Sequence, residues 1–114
     1  MRTLLLFLLI AILPITASAQ STVEMKEEAG QALEKSDKAM NVAYQQLMKV
    51  LEDEGKTRLR EAQRAWVAFR DTQASFDSHA LAGGTMEGLE YMGSLKILTD
   101  ERTKRLKEDY DRFK

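Results

Sequence analysis

The chain has no cysteine. That absence excludes disulfide bridges, thiolate metal sites, iron–sulfur clusters and thiol catalysis. A single histidine leaves little material for a proton relay or an imidazole metal centre. The one proline is Pro14, so no proline interrupts the chain after it. Charge of one sign is also missing: 17 basic against 18 acidic residues give a net charge of −1, and no basic field points to nucleic acid. No apolar run approaches the roughly 20 residues that a transmembrane helix needs. What remains is a chain of 114 residues, 44% hydrophobic and 31% charged. That is the balance of one small globular domain.

The longest apolar run, Leu4 to Leu13, follows Arg2 and ends at Pro14. Ala17-Ser18-Ala19 then supplies the small residues of a signal-peptidase site. We expect residues 1–19 to be a cleaved signal peptide and residues 20–114 to form a single helical domain, exported to the periplasm or beyond the cell. No cysteine follows the run, so a lipid anchor is not expected, and no membrane anchor is expected after cleavage. Losing Arg2 with the signal moves the net charge from −1 to −2.

Helical spacing occurs three times in the rest of the chain. The first segment carries Leu33, Met40, Tyr44, Leu47 and Leu51, and Gly55 suits a left-handed cap behind it. The acidic Glu52-Asp53-Glu54 just before that glycine opposes the helix dipole, so a frayed end is expected there. The second segment carries Leu59, Ala62, Trp66, Phe69, Gln73 and Phe76, and is broken by Gly83-Gly84. Thr85 is the expected N-cap of the third, with Glu87 in its first turn. That segment carries Leu95, Leu98, Leu106, Tyr110 and Phe113. Opposite charges at i,i+4 support it: Asp100 with Lys104, Glu101 with Arg105, Glu108 with Arg112. Nothing alternates long enough for a strand. The fold class is therefore all-α, three antiparallel helices in a small bundle.

Catalytic material is thin. No serine sits in a nucleophile elbow. Asp77 and His79 are two ligand types in an expected loop, too few for a metal. Glu87 and Glu90 share a helical face, as solvated acids commonly do. Gly83-Gly84 lacks the lysine and spacing of a phosphate loop and reads as a turn needing positive φ. Gly88 and Gly93, within the third segment, imply either close approach of a neighbour or local irregularity. We expect no enzyme activity, no cofactor and no metal.

Three polar residues share faces with the apolar stripes. Asp37 lies between Leu33 and Met40, Arg70 one turn after Trp66, and Arg102 between Leu98 and Leu106. Such positions are costly unless paired. The simplest reading is an internal ion-pair and hydrogen-bond network, extended by Asn41 and Tyr44, that registers the helices; a binding role is the alternative.

The same residues carry a resemblance. Asp37-x-x-Met40-Asn41-x-x-Tyr44, the block from Glu61 to Asp71 (EAQRAWVAFRD), Gly83-Gly84-Thr85 and Leu98-Thr99-x-x-Arg102-x-x-x-Leu106 resemble the LprI-type lysozyme-inhibitor domain, a family of small exported bacterial proteins. The likeness spans roughly residues 29–106. It implies a binding protein that occludes a lysozyme, with Asp37, Asn41, Tyr44, Trp66, Arg70, Thr99 and Arg102 as structural or binding residues. An envelope interaction module with a different protein partner is the alternative, and the number of copies is left open. The resemblance also implies cysteines where this chain has Ser75 and Ser94, so a bridge between the second and third helices is missing here. The connection from Asp77 to Glu87 is the longest irregular stretch expected and the best projecting element.

Overall fold

The computed structural model describes residues 16–114, with side chains from Ser21 onward. Three helices follow one another: α1 (Thr16–Val50), α2 (Asp53–Asp77) and α3 (Glu87–Phe113), with a 3-10 turn at His79–Leu81 between the last two. The described residues contain no strand, and the all-α expectation holds. The apolar run Leu4 to Leu13, the core of the expected signal peptide, lies outside the described residues. Ala17-Ser18-Ala19 forms part of the first turn of α1.

Only Leu51 and Glu52 separate α1 from α2. Gly55 is not the left-handed cap that the sequence suggested. It lies in the first turn of α2, and the positive φ among the described residues belongs to Gly83. The acidic residues explain the difference. Asp53 and Glu54 would burden the carboxyl end of α1, yet they sit in the first turn of α2, where the dipole favours them. A Cβ on Gly55 would meet the Leu51 side chain at 3.4 Å, an ordinary contact, so Leu51 packs directly over that turn.

Consecutive helices run antiparallel, which leaves α1 and α3 parallel. Lys26 lies beside Gly88, Ser36 bonds Asp100, and Leu47 joins Leu106 in the core. The core is narrow. Met40, Ala43 and Leu47 of α1 meet Leu106 of α3, ringed by Tyr44, Val50, Leu51, Leu59, Trp66 and Tyr110. Further along, most buried residues are small and polar, Ser36 on α1, Ser78 behind α2, then Ser94, Thr99 and Thr103 on α3, with Ala74 and Leu95 the apolar ones among them. The Thr103 hydroxyl donates to the Thr99 carbonyl at 3.0 Å, which keeps a buried polar group satisfied.

Three sequence expectations are corrected. Phe69 and Phe76 belong to the apolar spacing of α2 but are exposed, while Ala74 is fully buried. Trp66 faces the core, and at 3.6 residues per turn Phe76 lies roughly a quarter turn off its line. Met86, not Thr85, is the N-cap of α3, without a side-chain cap bond. The ion pairs of α3 also differ. Asp100 pairs with Lys96 at 2.7 Å and accepts from Ser36 across the helix interface. Asp109, whose side chain is 17% exposed, draws both Arg105 and Arg112, at 3.2 and 2.9 Å. Asp109 is half-buried, whereas Asp100, Glu101 and Glu108 are exposed.

Candidate functional site

Trp66 is the only tryptophan and sits half-buried at mid-bundle. Arg70, one turn on, places its guanidinium carbon 5.4 Å from the indole centroid. Arg102 reaches in from α3 to 5.9 Å. Two guanidinium groups therefore share one ring, an arrangement favoured by the quadrupole of the indole. Like charges this close need anchoring. Arg70 donates through Nη1 to Asp37 Oδ1 at 3.3 Å and to Thr99 Oγ1 at 3.5 Å, and through Nε to Asp71 Oδ1 at 3.0 Å. Arg102 donates through Nε to Gln63 Oε1 at 2.9 Å, and the Gln63 amide contacts Met40 Sδ at 3.5 Å. Burial pushes the Arg102 guanidinium below the usual arginine range, while Asp109 pulls it back and Arg105 adds to the fall. It stays protonated at any physiological pH.

Of the residues singled out in the sequence, Asp37, Trp66, Arg70, Thr99 and Arg102 meet here, one constellation drawn from all three helices. Asn41 does not join it: one turn after Asp37 on α1, it is exposed. Tyr44 lies against the apolar core and takes no part in these bonds. Gln63 and Asp71 are additions. Gln63 lies one turn before Trp66, on the side facing Arg102, and only its place in the EAQRAWVAFRD block marked it beforehand.

A second feature lies where α2 ends. Phe76, Ile97 and Leu98 line an open groove of about 720 Å³ with Asp77, Glu90 and Glu101 around them. Phe76 is 74% exposed and Ile97 61%. The Asp77 carboxylate accepts from Ser94 Oγ at 2.5 Å and from the Gln73 amide at 2.8 Å. These two bonds, Ser94 first, hold Asp77 below its ordinary value against a small opposing effect of desolvation. The neighbouring turn is organised by Gly83, at φ +77°, whose N–H donates to Glu87 Oε2 at 2.9 Å. His79 lines the same groove, and no three metal-ligating side chains converge among the described residues.

The model of the family described as lysozyme inhibitor LprI matches residues 15–106. The chain belongs to this family. A relative in Rhizobium meliloti (strain 1021), itself an uncharacterised protein, is 44% identical over 50 residues. That stretch is 44% of this chain and 36% of the relative, so the match spans about a third of the relative's length. No solved structure matches. In this LprI-family chain the matched region contains both the guanidinium–indole constellation and the groove. The Ser94–Asp77 bond links α3 to the end of α2, the two helices that the resemblance implies are bridged by cysteines elsewhere. No helix among the described residues is long and apolar enough to cross a membrane.

Proposed function

We propose that the chain is an exported, non-catalytic protein that binds a lysozyme and occludes its cleft. The observation that carries this reading is the family match over residues 15–106. The sequence supports export through the Leu4 to Leu13 run and the small residues at Ala17 and Ala19. The constellation around Trp66 supports a scaffold role. Its cations are turned toward Asp37, Asp71 and Gln63, which ties the three helices into a fixed frame. A frame of that kind lets the connection between α2 and α3 present itself with little ordering cost.

Wall-suspension turbidimetry tests the reading. The purified protein slows lysis by an added lysozyme of at least one of the hen, goose or invertebrate types, and leaves walls intact when added alone. Clearing of the walls by the protein itself overturns the non-catalytic reading. Unchanged lysis with all three lysozymes overturns inhibition and leaves the envelope-module alternative.

A further inference from the structure

The groove at the end of α2 has a composition that neither the fold nor the clamp around Trp66 requires. Phe76 and Ile97 are two of the most exposed large apolar side chains among the described residues, and both face one hollow. Stability gives no reason to keep them there, because an exposed aromatic side chain gains nothing from folding. Clustered exposure of this kind marks surfaces that become covered. The charge around the hollow is one-sided. Asp77, Glu90 and Glu101 line it, and no lysine or arginine does. Asp77 is kept ionised by Ser94 and Gln73, so its charge persists at any pH where a partner would be met.

We propose that this groove is the docking surface for a cationic protein, with Phe76 and Ile97 as apolar anchors and Asp77, Glu90 and Glu101 pairing with lysine or arginine around them. The inference rests on the inhibitor reading and deepens it by naming the surface. Lysozymes of the animal type are cationic. The net charge of the whole chain is only slightly negative, so overall attraction is weak. Three carboxylates gathered around one hollow concentrate that attraction where contact is made. An apolar centre with a charged rim is also the usual anatomy of a protein interface. Ser94 thus acts on both sides of the site, tying α3 to the end of α2 and orienting a rim carboxylate.

Binding of hen-, goose- and invertebrate-type lysozymes to the unaltered protein and to three double variants, measured by surface kinetics at low and physiological salt, tests the proposal. Phe76→Ser with Ile97→Ser weakens affinity by about thirtyfold or more, the loss typical of removing a central anchor. Glu90→Lys with Glu101→Lys slows association on the order of tenfold at low salt and flattens its salt dependence. Glu61→Lys with Glu108→Lys, an equal charge change away from the groove, leaves affinity within about twofold. All four groove positions are solvent-facing, so the variants keep wild-type helicity by circular dichroism. Wild-type affinity in both groove variants, beside normal binding by the unaltered protein, overturns the groove while sparing the inhibitor reading. No binding by the unaltered protein to any of the three lysozymes overturns both.

Discussion

Replacing Arg70 by alanine is the sharpest probe of the frame. The Arg70 side chain is 16% exposed, but its partner Asp37 is 41% exposed. A fully buried pair loses about 3–5 kcal/mol when one member is removed, because the survivor stays charged in a dry interior. Asp37 escapes that penalty, since water can take the place of the guanidinium. What is lost is a partly screened ion pair, of about 0.5–1 kcal/mol. The guanidinium–indole contact adds about 0.5–1 kcal/mol, and the packing of the arginine stem about as much again. The buried Thr99 hydroxyl loses its contact at 3.5 Å as well, a long bond of small value. We therefore expect Arg70→Ala to cost about 2–3 kcal/mol, and Asp37→Ala about 0.5–1 kcal/mol. In a double-mutant cycle the two couple by about 0.5–1 kcal/mol. Urea unfolding supplies the numbers, read by far-ultraviolet circular dichroism and by emission from Trp66, the only tryptophan. Emission also shifts in the folded state, because one of the two cations over the ring has gone. A loss under about 0.5 kcal/mol with unchanged emission would refute the reasoning.

Two glycines predict opposite signs. Gly83→Ala forces an L side chain into φ +77° and destabilises by about 1–2 kcal/mol, whereas Gly93→Ala meets nothing within 4 Å inside α3 and stabilises by up to about 1 kcal/mol. Thermal melts of the two variants check this, and equal shifts contradict it. Asp77 supplies a pH dependence. Its native carboxyl lies below 3.8, so its bonds favour the fold above that value, and the contribution disappears as pH falls through the depressed native value. Ser94→Ala raises the Asp77 value toward 3.8 and removes part of the acid-side loss; a carbon-detected carboxyl titration that shows no movement contradicts the bond.

The three helices were legible because leucine, methionine and aromatic residues recur at steps of three and four, a signal that tertiary context seldom overrides over such lengths. The ends were less legible. Glu52-Asp53-Glu54 read as a poor end to α1 because its role at the start of α2 depends on where the chain turns, and a two-residue joint leaves little local mark. The orientation of α2 was missed for a related reason. Counting apolar positions put Phe69 and Phe76 inside with Trp66, but the inward line of α2 also runs through Gln63, Arg70 and Ala74. Two of those are polar, and they can face inward only because Arg102, Asp37 and Thr99 on the other helices receive them. Pairing between helices is invisible to a one-helix pattern. The clamp itself was foreseeable from Asp37, Arg70 and Arg102 lying on apolar stripes; Asn41, one turn after Asp37, is rotated about 40° farther from the buried line of Met40, Ala43 and Leu47 and so faces solvent. The groove was not foreseen, since Phe76 and Leu98 were counted as core, Glu90 as a solvated acid, and neither pattern set them beside Ile97 and Glu101.

Calorimetric titration of the protein into a lysozyme, with its cleft empty and then filled by an N-acetylglucosamine oligomer, tests occlusion most directly. The account predicts a saturable one-to-one complex with the empty enzyme and an apparent affinity that falls as the oligomer occupies the cleft. Binding that is indifferent to a filled cleft, or no heat with either form, would contradict it.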